Sequence, residues 1–169
     1  MKALEAAYVA GFLDGDGSIH FQLVRQVGYR FGFYIRSTIS FSQSTSARRH
    51  LERLQEMLGG GGYVRDRGTG MSDLVVTSRP LILRTLLAVE PFVIFKREHV
   101  DRALDLLPRV RPRIGAVEFL QLAREVDAFA TLNYSKTKRI TAEAVERQLR
   151  SMGCCAPVTT SSLLSEGMT

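Results

Sequence analysis

From about Leu4 to Leu13 the chain places apolar residues on nearly every side of what would be one helix: Leu4, Ala6, Tyr8, Val9, Ala10, Phe12 and Leu13. A helix with so little polar surface is buried on more than one side. Ala10 and Gly11 are small enough to admit another helix closely, which offsets the helix propensity that Gly11 gives up. The run Asp14-Gly15-Asp16-Gly17 is expected to break the helix. The pattern then switches to a period of two. Ile19, Phe21 and Leu23 fall on one side, with His20, Gln22 and Val24 on the other. After a connection from Arg25 to Arg30, Phe33, Ile35, Ser37, Ile39 and Phe41 alternate with Tyr34, Arg36, Thr38, Ser40 and Ser42. This predicts a long antiparallel hairpin with one apolar face and one face rich in hydrogen-bonding groups.

Ser46 should open a helix in which Leu51, Leu54 and Leu58 recur at helical spacing, and Gly59-Gly60-Gly61-Gly62 should stop it. No Lys-Ser/Thr follows the glycines, so they read as a flexible connector and not a phosphate loop. A second hairpin is expected from Tyr63 to Arg67, a turn at Gly68-Thr69-Gly70, and a return from Ser72 to Thr77. Arg65, Arg67, Asp73 and Val75 are its candidates for the open face. The remainder is helical: from near Pro80 to Val89, from about Phe92 to Leu107 with Pro108 as the stop, and from about Val117 to Leu132. An arginine- and proline-rich linker spans 108–113. Thr141 should cap a last short helix through about Arg150. From Ser151 onward small and polar residues suggest a flexible tail. The order helix–hairpin–helix–hairpin–helix occurs once, which gives an α+β class with one domain over 1–150 and a tail over 151–169.

At 169 residues the chain is long enough for a substantial core. No apolar run reaches the ~18 residues of a membrane span, and the start lacks a signal-peptide layout, so no membrane partner is expected. The formal net charge of +6 favours a polyanion. Of 23 basic side chains only Lys2, Lys96, Lys136 and Lys138 are lysines. Arginine suits bidentate contacts to phosphate and guanine, although a GC-rich or thermophilic source produces the same skew. Cys154 and Cys155 are adjacent and build neither a disulfide framework nor a zinc site. A reducing intracellular compartment is therefore expected, either a prokaryotic cytoplasm or an organelle.

Two stretches carry candidate chemistry. Asp16, between Gly15 and Gly17, could meet a magnesium ion, which takes few protein oxygens when phosphate supplies others, while the glycines let backbone approach. The same four residues also serve as a plain turn between helix and strand. They do not make an EF-hand, because Ser18 and Arg25 stand where that loop needs acids. The second stretch is the polar sheet face. An antiparallel ribbon fits the major groove, where Gln22, Gln26, Arg36, Arg65 and Arg67 are residue types that read adenine or guanine. His20, Val24, Thr38, Ser40 and Tyr34 share that face, with Tyr29 and Arg30 in its connection. A strand of ~9 residues at ~3.3 Å spans about as much as ~9 base pairs at ~3.4 Å, so a dimer would cover roughly 18 to 20. An ordinary solvated face has the same composition. Gln43 and Lys96 alone read as surface residues, and His20, His50 and His99 lack metal-ligand spacing. No Gly-x-Ser-x-Gly turn supports serine hydrolase chemistry.

Taken together, Tyr8-Val9-Ala10-Gly11-Phe12-Leu13-Asp14-Gly15-Asp16-Gly17 resembles the signature of the LAGLIDADG homing endonucleases. Tyr63 to Gly68, Pro91-Phe92 with Lys96, and Asn133-x-Ser135-Lys136-Thr137 follow in order and resemble the homodimeric, intron-encoded branch. The resemblance implies an αββαββα core whose sheet forms a DNA-gripping saddle, with C-terminal helices after it. It implies a homodimer interface at Tyr8, Ala10, Gly11, Leu13 and Asp14. Asp16 and the Gly15 carbonyl would hold the metal, Gln43 would position water, and Lys96 would help activate it or stabilise the charged intermediate. Lys136, Lys138 and Arg139 would contact phosphate. The implied partner is double-stranded DNA. Mg²⁺ is the implied ion, with Mn²⁺ a substitute and Ca²⁺ supporting binding without cleavage. Two departures stand out: Ser44 and Ala47 occupy positions where basic residues are expected, and Val24 and Gly28 are less polar than a base-reading hairpin usually shows. An RNA-binding maturase of the host intron, or a DNA-binding protein that does not cut, are the alternatives on the same scaffold.

Overall fold

The computed structural model describes residues 1–133 and 140–154. Lys136, Lys138, Arg139 and Cys155 lie outside them, as does the tail beyond Cys154. Helix α1 (Ala3–Asp16) leads directly into strand β1 (Gly17–Arg25), which pairs with β2 (Phe33–Ser44). A single 3-10 turn at Thr45–Ala47 precedes α2 (Arg48–Met57), so Ser46 lies in that turn and the helix proper begins two residues later. Strands β3 (Tyr63–Asp66) and β4 (Met71–Val76) follow, then α3 (Arg79–Val89), α4 (Arg97–Arg109), α5 (Ala116–Phe129) and α6 (Ala142–Ser151).

The four strands form one antiparallel sheet in the order β1-β2-β4-β3. Its registers, Ile19 opposite Ile39 and Phe41 opposite Leu74, put the apolar alternation of every strand on one face. That face holds the core: Ile19, Phe21, Ile39, Phe41, Leu74 and Val76 are buried against the helices. Ring pairs tie the layers together, Phe12 edge-on to Phe41 at 5.8 Å and Phe21 edge-on to Phe129 at 4.8 Å. The opposite face stays accessible and carries Gln22, Arg36, Arg65 and the remaining polar alternation.

Helix α1 continues through the acidic-glycine run instead of breaking at Asp14. The Gly17 N–H still closes on the Leu13 carbonyl, and a Cβ at Gly17 would stand 2.6 Å from the Leu13 Cα. Helix and strand therefore meet without a loop because residue 17 has no side chain. Burial also settles which side of α1 faces inward. Ala6, Val9, Ala10 and Leu13, spaced as one helical stripe, are in the protomer's own core.

Except at the start of α4, the other helix ends fall close to where the sequence places them. Thr141 is the N-cap residue of α6 but makes no side-chain cap; the Ala142 N–H donates instead to the Asp127 carboxylate at 2.7 Å, from α5. Pro108 lies within the last turn of α4, which ends one residue later. The glycine run is a shaped turn rather than a loose connector: Gly59, Gly60 and Gly62 have positive φ, and Gly62 leaves no space for a Cβ beside the Val75 carbonyl.

Candidate functional site

Asp14 and Asp16 are both helical and only two residues apart, so their side chains leave α1 in nearly opposite directions. Asp14 reaches the turn before α4. Its carboxylate accepts the backbone N–H of Ile94 at 2.7 Å, of Phe95 at 3.3 Å and of Lys96 at 2.9 Å. Three consecutive amides wrapped on one carboxylate explain why α4 starts at Arg97 and not near Phe92. Lys96 returns the contact, its Nζ donating to the Asp14 carbonyl at 2.6 Å. This clasp joins the negative end of the α1 dipole to an ammonium and the start of α4 to a carboxylate.

Asp16 has no hydrogen-bond partner among the described residues and is exposed. The Gly15 carbonyl belongs to the last turn of α1, where no i+4 amide follows. The two oxygens stand beside the half-buried Lys96, whose pKa is pulled down by burial while the Asp14 and Asp16 carboxylates work against that shift. Gln43 approaches from the sheet. Because Gly17 pairs with Phe41, Gln43 sits on β2 two residues past the start of β1, alongside the end of α1. Its Oε1 accepts the Ser44 N–H at 3.0 Å. The structure thus brings Asp16, Gly15, Lys96 and Gln43 to one end of the sheet.

These donors fit a hard divalent cation. A carboxylate and a carbonyl without protein partners are oxygen ligands of the kind Mg²⁺ takes, and that ion keeps waters and substrate phosphates for its other positions. Among the described residues no group of three or more His, Cys, Asp or Glu gathers that could enclose a metal alone. Asp16 is the acid at this end of the sheet that has no hydrogen-bond partner among the described residues, since Asp14 is taken up by the turn before α4.

The open sheet face continues from this end. In its centre Arg67 donates through Nε to Asp73 Oδ2 at 2.6 Å and through Nη2 to the other Asp73 oxygen and, at 2.8 Å, to the Ser42 hydroxyl. Ser42 donates to Asp73 at 2.7 Å, and Arg65 pairs with it at 3.4 Å. Asp73 is 1% exposed and held below the usual carboxylate range, by Arg67 first and then by Ser42 and Arg65, against the opposing effect of burial. Asp73 and Val75, expected as exposed contacts, are both buried; alternation fixed their side of the sheet but not their cover. Arg65 and Arg67 are the groups that reach solvent there.

Arg36 donates to Gln22 at 2.6 Å across β1 and β2, and Ser18 and Ser40 share a hydrogen bond of 2.9 Å. His20, opposite Thr38, is half-buried with its pKa lowered, first by burial and then by His99. Arg48, beside the site, is committed to Glu52 at 3.0 Å and Asp66 at 2.7 Å. Arg49 is exposed and makes no hydrogen bond or ion pair among the described residues, so it leaves a cation uncommitted next to Arg48 where Ser44 and Ala47 supply none.

The sequence reading missed two features. Asp14, expected at a subunit interface, is a clamp within the protomer. Next to it Ile94 and Phe95 are exposed, Phe95 by 84%; the apolar run directly before Lys96 was the available signal. Conversely, Ala10 and Leu13, expected at a subunit interface, are wholly turned into the core. The outward stripe of α1 is Leu4 (86% exposed), Tyr8 (53%), Gly11 and Gly15.

Comparison with known proteins bears on this geometry. Residues 9–89 match the LAGLIDADG endonuclease family model. The DNA endonuclease I-CreI of Chlamydomonas reinhardtii is 34% identical over 146 residues, 86% of this chain and 88% of its own. The endonuclease I-CvuI of Chlorella vulgaris is 29% identical over 150 residues, 89% of this chain and 92% of its own. Its crystal structure with target DNA in 2 mM Ca superimposes with a TM-score of 0.85, covering 91% of this chain and 98% of that one at 28% identity. A second structure of it, with the I-CreI target in 2 mM Mg, shows DNA not cleaved and gives a TM-score of 0.84.

Proposed function

The chain belongs to the LAGLIDADG endonuclease family and is a DNA endonuclease that uses divalent metal, and we propose that it cuts both strands of a long, partly palindromic duplex as a homodimer. The observation that carries the proposal is the placement of the unpartnered Asp16 at the end of a helix whose outward stripe is apolar and small. Leu4, Tyr8, Gly11 and Gly15 recur at i, i+4, i+7 and i+11, and a Cβ at Gly11 or Gly15 would meet nothing within 4 Å in the protomer. Small residues let a second α1 approach closely, as ridges need grooves. Ile94 and Phe95 extend the patch beside Asp14. Packing two copies through this stripe brings two Asp16 carboxylates together at the junction of two open sheet faces.

In that arrangement Asp16 and the Gly15 carbonyl would hold the metal, which would supply charge stabilisation for the attacking and leaving oxygens of the phosphodiester. Lys96, fixed by its bond to the Asp14 carbonyl, presents an ammonium to the developing negative charge. Gln43 offers its amide to orient water at the end of β2. Arg65, Arg67, Arg36 and Gln22 lie along the major groove, where the Asp73 anchor and the Arg36–Gln22 pair preset the donors before DNA arrives. His20, Thr38 and Ser40 complete that face as uncharged hydrogen-bonding groups. A maturase or a non-cleaving binding role has no observation of its own here.

The test is incubation with a randomised duplex library in Mg²⁺ and in Ca²⁺. Cutting at one long near-palindromic site in Mg²⁺, with binding alone in Ca²⁺, is the expected result. Tight binding without cutting in either ion would overturn the hydrolytic assignment.

A further inference from the structure

The open face changes chemistry along the first hairpin. Toward its middle the facing pairs are polar, Ser18 with Ser40 and Gln22 with Arg36. One pair beyond, Val24 lies opposite Tyr34. Tyr29 folds back from the connection and stacks on Tyr34, ring centroids 4.8 Å apart and 22° from parallel. Two successive turns hold this shape: the Tyr29 N–H donates to the Gln26 carbonyl at 3.1 Å, and the Gly32 N–H donates to the Tyr29 carbonyl at 2.8 Å. Gly32, which closes the second turn, has a φ of 73°, the left-handed conformation that favours glycine. Val27, at the tip, is 95% exposed.

The cations nearby are turned elsewhere. Arg25 lies over the Phe33 ring at 4.9 Å, and Arg30 lies over Phe31 at 5.1 Å while donating to the Ile114 carbonyl at 3.4 Å. The outer end of the face is therefore aliphatic and aromatic where its centre is guanidinium and amide. Among the groups that base edges show in the major groove, the thymine C5 methyl is the apolar one. Guanine would call for a bidentate cation that this end does not present. Gln26, exposed beside the stack, is instead the side-chain type that pairs with adenine.

We infer that the outer base pairs of each half-site are A·T pairs recognised through thymine methyl groups packed on Val24 and the Tyr29–Tyr34 stack. Val24 lies seven residues past Gly17, about 23 Å at ~3.3 Å per residue, which places these contacts about seven base pairs outward from the start of β1. The inference rests on the DNA-endonuclease reading and specifies what its hairpin selects.

The experiment is enrichment of bound duplexes from a randomised library in Ca²⁺, followed by affinity measurement on the enriched site with each outer dT replaced by dU. That replacement deletes only the methyl and leaves the protein untouched. Thymine on one strand at the outer positions is expected, with a loss of about fourfold (about 0.8 kcal/mol) for each methyl buried in the contact. In Tyr34→Ala the dT-to-dU ratio should fall toward one. Outer G·C pairs, or equal affinity for dT and dU, would overturn this inference while leaving the endonuclease reading intact. No enriched duplex at all would overturn both.

Discussion

The two acids of the α1 terminus should respond to substitution in opposite ways. Asp14→Ala removes the acceptor shared by the Ile94, Phe95 and Lys96 amides and loosens the turn that presents Lys96. The first two amides are exposed, so water replaces part of what is lost, and the scale is that of a removed helix cap. A cost of about 1–2 kcal/mol is expected. For a chain of this size that lowers the melting temperature by about 3 to 6 °C. Asp16→Asn removes no hydrogen bond, so its stability should stay within about 0.5 kcal/mol of the parent. It deletes instead the one carboxylate left free for metal, and cleavage should disappear while binding to the same duplex in Ca²⁺ persists. Thermal melts must be run at one protein concentration, because in the proposed dimer the midpoint would depend on concentration. The pair of variants is informative as a contrast. If Asp16→Asn melts as low as Asp14→Ala, or still cuts DNA, the division of roles between the two carboxylates is wrong.

Gly17→Ala should destabilise by about 1–3 kcal/mol in urea titration, since its Cβ meets backbone 2.6 Å away and helix or strand must shift. Gly11→Leu faces open space in the protomer, so the chain should fold, yet sedimentation should show monomers and cleavage should vanish; a cutting dimer would refute the α1 interface. Asp73→Asn should cost about 2 to 3 kcal/mol, below the usual figure for a broken buried pair because Arg65 and Arg67 are half-exposed. Its pH signature has a fixed sign. The depressed native pKa of Asp73 gives stability that is complete above the unfolded value of about 3.9 and is lost as pH falls through the native one, so the acid limb should be shallower in the variant. DNA affinity should fall steeply with salt as phosphate contacts release counterions, and a flat response would count against a basic groove.

Periodicity made the hairpins legible, because a period of two with a one-sided apolar set admits a single register on a sheet covered on one face. It could not orient α1. A helix apolar on every side carries no directional signal, so Ala10 and Leu13 were assigned outward although they are core, and Tyr8 and Gly11 were separable from them only by burial. Nor could it separate Asp14 from Asp16, which are chemically identical and only two residues apart in the motif. What distinguishes them is a turn some eighty residues away that offers its amides to one and not the other. The start of α4 was obscure for the same reason, since its first amides are satisfied by Asp14 from another element, whereas Thr141 marked the start of α6 although Asp127, not its own hydroxyl, takes the Ala142 amide. Asp73 shows the limit of face assignment: its side of the sheet was readable, but not that two arginines and a serine would close over it.

The count of free acids per protomer links this fold to the form of its target. One carboxylate at the end of one helix is a thin ligand set for an ion that must work on phosphate, and among the described residues no group of three or more His, Cys, Asp or Glu gathers to enlarge it. In the proposed dimer a two-fold axis through the α1 stripe would double the set without new sequence. It would also double the open face, with the first hairpin running outward from the axis on each side. The two strands of a duplex are themselves related by two-fold symmetry, so a symmetric dimer meets each scissile strand with the same residues, and its preferred site inherits the palindromy of the protein. On that proposal the symmetry that completes the metal site would also fix where the base-reading contacts fall, with arginine pairs nearer the centre and the Val24–Tyr34–Tyr29 surface at the ends. Loss of the α1 contact should therefore abolish cleavage and half-site coupling together, and a monomeric variant that still cut one strand would break that link.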